Sequence, residues 1–160
     1  MRGLFLSKKI SPRIERLRAL SLFVNLTVRE LKIVDSLLHE RQFLKDEVIF
    51  DEGDEGQALY IIVEGRVLIC RQGQPVDGRI SDLGPGTFFG DLALLDNSVR
   101  SAQAKAAVNT KVAVFFRADF MRLLDTHKFI GSKISLQLAR HLGMRLRDAT
   151  RGMTAHNIYE

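Results

Sequence analysis

Between Arg41 and Arg117 the chain breaks into short runs of β-branched and aromatic residues, each closed by a glycine-containing or otherwise polar turn. The runs are Val48 to Phe50, Ala58 to Val63, Arg66 to Cys70, Gly78 to Leu83, Ala102 to Ala107 and Lys111 to Phe116. Turns fall at Asp51 to Gly56, at Glu64-Gly65, at Gln72-Gly73-Gln74-Pro75 and at Asn109-Thr110. Many short strands with turn signals at regular spacing predict an antiparallel sandwich, roll or jelly-roll.

Helical patterns flank this β region. Ile10, Ile14 and Leu17 fall on one face of a segment from Ile10 to Leu22, with Arg13, Glu15, Arg16 and Arg18 elsewhere, and Ser11-Pro12 suits a capped start with proline in the first turn. Thr27-Val28-Arg29-Glu30 has the form of a capping box and opens a second helix to about His39. A helix from Ala118 to Thr126 follows the β region, and a longer one runs from Phe129 to about Thr150. The long helix carries Ile130, Ile134, Leu138, Leu142 and Leu146, and steps of four residues turn this stripe about 40° at a time. Its first half can therefore lie on the barrel while its second half covers a ligand or a second copy of the chain. The division expected is residues 1–21 as an N-terminal amphipathic segment, 22–150 as one binding domain and 151–160 as a tail without structure. Within that domain the β-roll spans about 41–117 and the C-terminal helical lid about 118–150, so the class is mainly β with flanking helices.

One stretch carries chemistry. In Gly86-Thr87-Phe88-Phe89-Gly90-Asp91-Leu92-Ala93-Leu94-Leu95-Asp96-Asn97-Ser98-Val99-Arg100-Ser101-Ala102, Gly90 allows close backbone approach and Asp91 suits the cap of a short turn over Leu92 to Leu95. The amides opening such a turn attract an anion, and Arg100 adds a planar fork of donors matched to phosphate oxygens. A surface turn with a solvated arginine uses the same residues. This stretch resembles the phosphate-binding cassette of cyclic nucleotide-binding domains, whose form is Phe-Gly-Glu-hydrophobic-Ala-Leu followed by Arg-small-Ala; Asp91 stands where that family carries Glu. The segment from Gly53 to Val67 is similar to the hairpin that precedes the cassette in that family, and the resemblance covers about Leu22 to Leu146.

The resemblance implies a sensor for cAMP, or secondarily cGMP. Phe89, Gly90, Asp91, Leu92, Ala93, Arg100, Ser101 and Ala102 would form the ligand site. Arg100 and the amides near Leu92 and Ala93 would hold the cyclic phosphate, and Asp91 would accept from the ribose 2′-hydroxyl. Val67, Ile80 and Leu83 are the candidates for the wall against the base. Gln103 stands where many members place a small hydroxyl residue. The last helix would move on binding and signal to a separate effector protein, and a homodimer through that helix is a further expectation. An interaction or membrane-docking module that keeps the fold without the ligand is the alternative.

Other classes fit less well. The four histidines, at positions 39, 127, 141 and 156, lie outside the predicted strands, so no cupin-like metal site is expected, and Asp51 to Glu55 lacks the spacing of a calcium loop. No nucleophile has a histidine at recognisable spacing, so no enzymatic activity is expected. The single cysteine, Cys70, reads as a small buried residue in a reducing cytoplasm. A formal charge of +5 permits acidic partners without choosing one. Arg140, Arg145, Arg147 and Arg151 read as a solvated or partner-facing surface; about ten residues follow the long helix, so no DNA-binding domain and no DNA contact are expected. Membrane contact by residues 1–18 ranks below packing of that helix on its own domain.

Overall fold

The computed structural model describes residues 9–71 and 79–157, with side chains from 81 to 152 in the second span. Among the described residues, eight strands form two antiparallel sheets. The first orders β1 (His39–Phe43), β8 (Thr110–Phe116), β3 (Ala58–Glu64) and β6 (Phe88–Phe89). The second orders β2 (Val48–Phe50), β7 (Gln103–Ala106), β4 (Val67–Cys70) and β5 (Arg79–Leu83). Helices α1 (Pro12–Arg18) and α2 (Val28–Asp35) precede the roll, and α3 (Arg117–Thr126) and α4 (Lys128–Asn157) follow it. This is the antiparallel jelly-roll with helices at both ends that the sequence predicts. The turn at Gln72 to Pro75 lies outside the described residues.

The core has two parts, one on each face of the first sheet. Ala58, Ile62, Val67, Phe89, Ala104, Val112 and Val114 fill the roll. Leu59, Ile61, Ala113 and Phe115, the alternate residues of β3 and β8, face outward and pack with Leu17, Leu31, Phe120, Ile134 and Leu138 of the helices. Successive side chains of a strand point to opposite faces, so covering both faces requires the unbroken apolar runs seen in β3 and β8.

Helix starts follow local chemistry. The Ser11 hydroxyl accepts from the Ile14 amide at 3.3 Å with Pro12 at the first position of α1. In α2 the Thr27 hydroxyl accepts from the Glu30 amide at 3.2 Å, and Glu30 Oε2 accepts from the Thr27 amide at 2.8 Å, which completes the capping box. Glu30 also receives Lys133 Nζ of α4 at 2.9 Å, so one carboxylate caps a helix and ties it to another.

Several boundaries differ from expectation. The first helix stops at Arg18 because Leu20 is extended; a 3-10 turn then spans Ser21–Phe23. Helix α2 ends at Asp35 rather than near His39, its last turn tightened by Leu37 and Leu38 amides bonding three residues back. His39–Phe43 is then an exposed edge strand, which its polar sequence hides from any alternation rule. Helix α4 passes through Gly152 to Asn157, correcting the unstructured tail from 151; no proline follows Gly152 within the helix, and a glycine alone costs only about 1 kcal/mol. In the described part of the N-terminal segment, Ile14, Leu17 and Leu20 are buried in the same cluster as Ile130, Ile134 and Leu138, so this helix packs on its own domain.

Candidate ligand site

The predicted cassette folds as strand β6 followed by a 3-10 turn over Asp91–Leu94. Gly90 precedes that turn with φ +74°, a left-handed conformation that residues bearing a Cβ adopt at a cost. It also leaves no room, since a Cβ there would lie 2.5 Å from Arg100 Nη1. Gly90 is itself the residue at the cap position, and the turn has no side-chain cap, so the capping role expected of Asp91 is not observed. Of the turn's amides, Ala93 donates weakly, at 3.3 Å, to the Gly90 carbonyl.

Arg100 lies beneath this turn. Its backbone is fastened to the acidic loop, the Arg100 amide donating to Asp54 O at 2.7 Å and Gly53 N donating to Arg100 O at 2.8 Å. This acidic loop therefore positions the arginine backbone. The Asp51 carboxylate at its start accepts from Gln103 Nε2 at 2.6 Å. The Arg100 side chain is only 8% exposed. It stacks over Phe50 at 4.1 Å and donates from Nη2 to Ala58 O at 2.8 Å and from Nη1 to Gly90 O at 3.2 Å. Phe50, Tyr60 and Phe89 form an aromatic group around it, with Tyr60 and Phe89 stacked at 5.2 Å. Arg100 Nε is buried with no hydrogen-bond partner. Burial pulls the guanidinium below its ordinary pKa, with Tyr60, Asp54 and Asp91 pulling the other way.

A cavity of about 450 Å³ opens over these groups, within the range usual for small-molecule sites. Of the predicted residues, Phe89, Gly90, Asp91, Leu92, Ala93, Arg100, Ser101, Ala102 and Leu83 line it. Val67 does not: it is 0% exposed inside the roll, and Ile69, two residues on and on the same face of β4, lines the cavity in its place. Ile80 belongs to β5, but its side chain lies outside the described residues.

Two wall residues come from the long helix and were not expected. His141 and Arg145, one turn apart on α4, line the cavity, while Leu146 is 69% exposed. Arg145, read as part of a solvated or partner-facing surface, also donates from Nη1 to both oxygens of Asp91, at 3.0 and 3.2 Å. Asp91 is 4% exposed, with His141 Nε2 at 3.9 Å from Oδ2 and the imidazole ring 4.8 Å from Phe88. The i, i+4 spacing of a histidine and an arginine was the available signal. On the far side of the cassette, Arg117 donates to Ala93 O and Asp96 O, another contact the sequence does not announce. Among the described residues no group of three His, Cys, Asp or Glu could hold a metal ion.

The family model described as "Cyclic nucleotide-binding domain" matches residues 40–127, the whole roll and α3. The chain belongs to the cyclic nucleotide-binding domain family. As a cyclic nucleotide-binding domain it is 35% identical over 131 residues to the cyclic AMP receptor protein of Thermus thermophilus, covering 80% of this chain and 58% of that one. It is 38% identical over 103 residues to a cAMP-dependent protein kinase regulatory subunit of Candida albicans, covering 64% of this chain and 22% of that one. The crystal structure of the Thermus thermophilus catabolite activator protein matches with a TM-score of 0.76 at 32% identity, over 86% of this chain and 63% of that one. The chain thus spans less than two thirds of these relatives' own lengths. No described helix is long and apolar enough to cross a membrane.

Proposed function

We propose that this cyclic nucleotide-binding domain is a regulatory sensor for a cyclic purine mononucleotide, cAMP before cGMP, that alters the position of α4 and so signals to a separate effector. The observation carrying this reading is Arg100, a buried guanidinium whose Nε lacks a partner and which lines a cavity beneath a turn of backbone amides. Buried cations need a compensating anion, and buried donors need acceptors. A cyclic phosphate supplies both. It would exchange with the weak 3.2 Å bond to Gly90 O while Phe50 keeps the guanidinium plane in place.

The other roles follow from position. The amides near Leu92 and Ala93 face the remaining phosphate oxygens, and Ser101 and Ala102 flank them. Asp91 accepts from the ribose hydroxyl while remaining bonded to Arg145, since an ionised carboxylate offers about four acceptor sites. The purine rests on Ile69 and Leu83, with α4 above it. The names of the relatives, a cyclic AMP receptor and a cAMP-dependent kinase subunit, support cAMP as the first ligand. Catalysis has no place in this reading, and the effector lies outside the residues described.

Calorimetric titration of the chain, stripped of carried-over nucleotide by unfolding and refolding, with cAMP and cGMP tests the proposal. Wild type should bind one of them at micromolar concentration or below, and Arg100→Leu, still folded, should lose at least ~10-fold, the scale of one charge-assisted bond. No heat from folded wild type with either nucleotide would sink the reading and favour a docking module that keeps only the fold.

A further inference from the structure

We propose that Arg117 is the positioning residue of the phosphate cradle, and that it carries occupancy of the cradle to the C-terminal helices. Resting on the nucleotide reading above, the proposal concerns a residue that touches no ligand. Arg117 is the first residue of α3, where the helix dipole disfavours a cation. Its side chain turns away from its own helix. Nη1 lies within hydrogen-bond distance of three carbonyls: Gly56 O at 2.9 Å, Ala93 O at 3.2 Å and Asp96 O at 2.5 Å. Its amide adds a fourth link, donating to Gln57 O at 2.8 Å.

The identity of those carbonyls gives the contact its meaning. Ala93 lies in the 3-10 turn and Asp96 two residues past its end, so Arg117 places a positive charge at the carbonyl end of the turn whose amide end faces the cavity. Carbonyls at the end of a helical turn lack intrahelical partners and favour a cation. Gly56 and Gln57 lead into β3, which carries the Ala58 carbonyl that holds Arg100. One guanidinium therefore fixes both pieces of backbone that set the distance between Arg100 and the cassette amides. It is also continuous with α3, which is seated on α4 at Gly131, where an added Cβ would lie 2.6 Å from Leu124. A shift of the cassette on binding a phosphate must move the Ala93 and Asp96 carbonyls, and Arg117 passes that shift to the start of α3.

The test compares wild type, Arg117→Gln and Arg117→Lys. Titration with cAMP and cGMP should show Arg117→Gln weakened about 10-fold for both nucleotides by the same factor, because the phosphate is common to them. Lysine keeps a cation with three donors and should restore most of the affinity. At saturating nucleotide, amide exchange in Arg117→Gln should slow in the cassette but no longer in α4, a separation that general loosening of the fold would not produce. Wild-type affinity in Arg117→Gln together with undiminished protection of α4 would overturn the proposal. Should Arg117→Gln fail to fold, the guanidinium protons of Arg117 in the wild-type protein decide by NMR. Their solvent exchange should slow when nucleotide binds, and an unchanged rate would equally overturn it. Absence of binding by wild type would bring down the nucleotide reading itself, whereas binding that depends on Arg100 but not on Arg117 removes only this inference.

Discussion

Gly90 shows how narrow the tolerance of the site is. Its φ of +74° and the 2.5 Å approach of Arg100 Nη1 act on the same atom, the Cβ it does not have. Gly90→Ala should lower the unfolding free energy by about 1–2 kcal/mol from backbone strain alone, and it should weaken nucleotide binding because the guanidinium has to move. A thermal melt unchanged from wild type would show that the turn relaxes freely, contrary to the close packing around Arg100. At this scale the sequence was informative wherever chemistry and geometry coincide in one residue. Gly90 and Arg100 were legible as parts of the cassette because few residues serve a left-handed turn or offer a planar fork of donors in a loop. The pairing of Asp91 with Arg145 and the carbonyl contacts of Arg117 were not, since each depends on how segments distant in sequence pack together. Val67 and Ile69 are indistinguishable by pattern; only depth along β4 separates the core residue from the wall residue.

Among the elements, α2 and α4 are joined by Glu30, and the stability of this joint should depend on pH. Burial pushes the Glu30 carboxyl up, but the Thr27 amide and the Lys133 ammonium together outweigh it, so its pKa lies below the ordinary carboxylate value. A carboxyl whose pKa is lower in the folded state contributes stability that is present above its unfolded value and is lost as pH falls through its folded value. Melting temperature should therefore decline below about pH 4.5, and Glu30→Gln should flatten that part of the profile while lowering stability at neutral pH. An unaltered profile in the variant would assign the acid loss to other groups. Element types were mostly readable: the capping box at Thr27, Pro12 in the first turn of α1 and the apolar runs of β3 and β8 all act locally. β1 escaped because an exposed edge strand needs no apolar alternation, and its pairing with β8 is supplied by the partner.

For the whole molecule, the first sheet divides the core in two. Residues of β3 and β8 reach the roll with one face and the helices with the other. Their backbone bonds are thus sealed from water on both sides, so amide exchange should be slowest at Ile61, Ile62, Ala113 and Val114 and should reach the rate set by global unfolding. Faster exchange there than in β4 and β5 would mean that the helices leave the sheet in a separate step. The same arrangement gives β3 two employers. Tyr60 and Ile62 belong to the wall around Arg100 and the roll, while Leu59, Ile61 and Val63 seat the helices. A one-residue insertion at the start of this seven-residue strand would exchange those sets, sending the aromatic ring to the helices and aliphatic side chains to the surroundings of Arg100. Under the proposed function, reception and transmission would be interleaved along a single strand, so that neither could drift in sequence without the other.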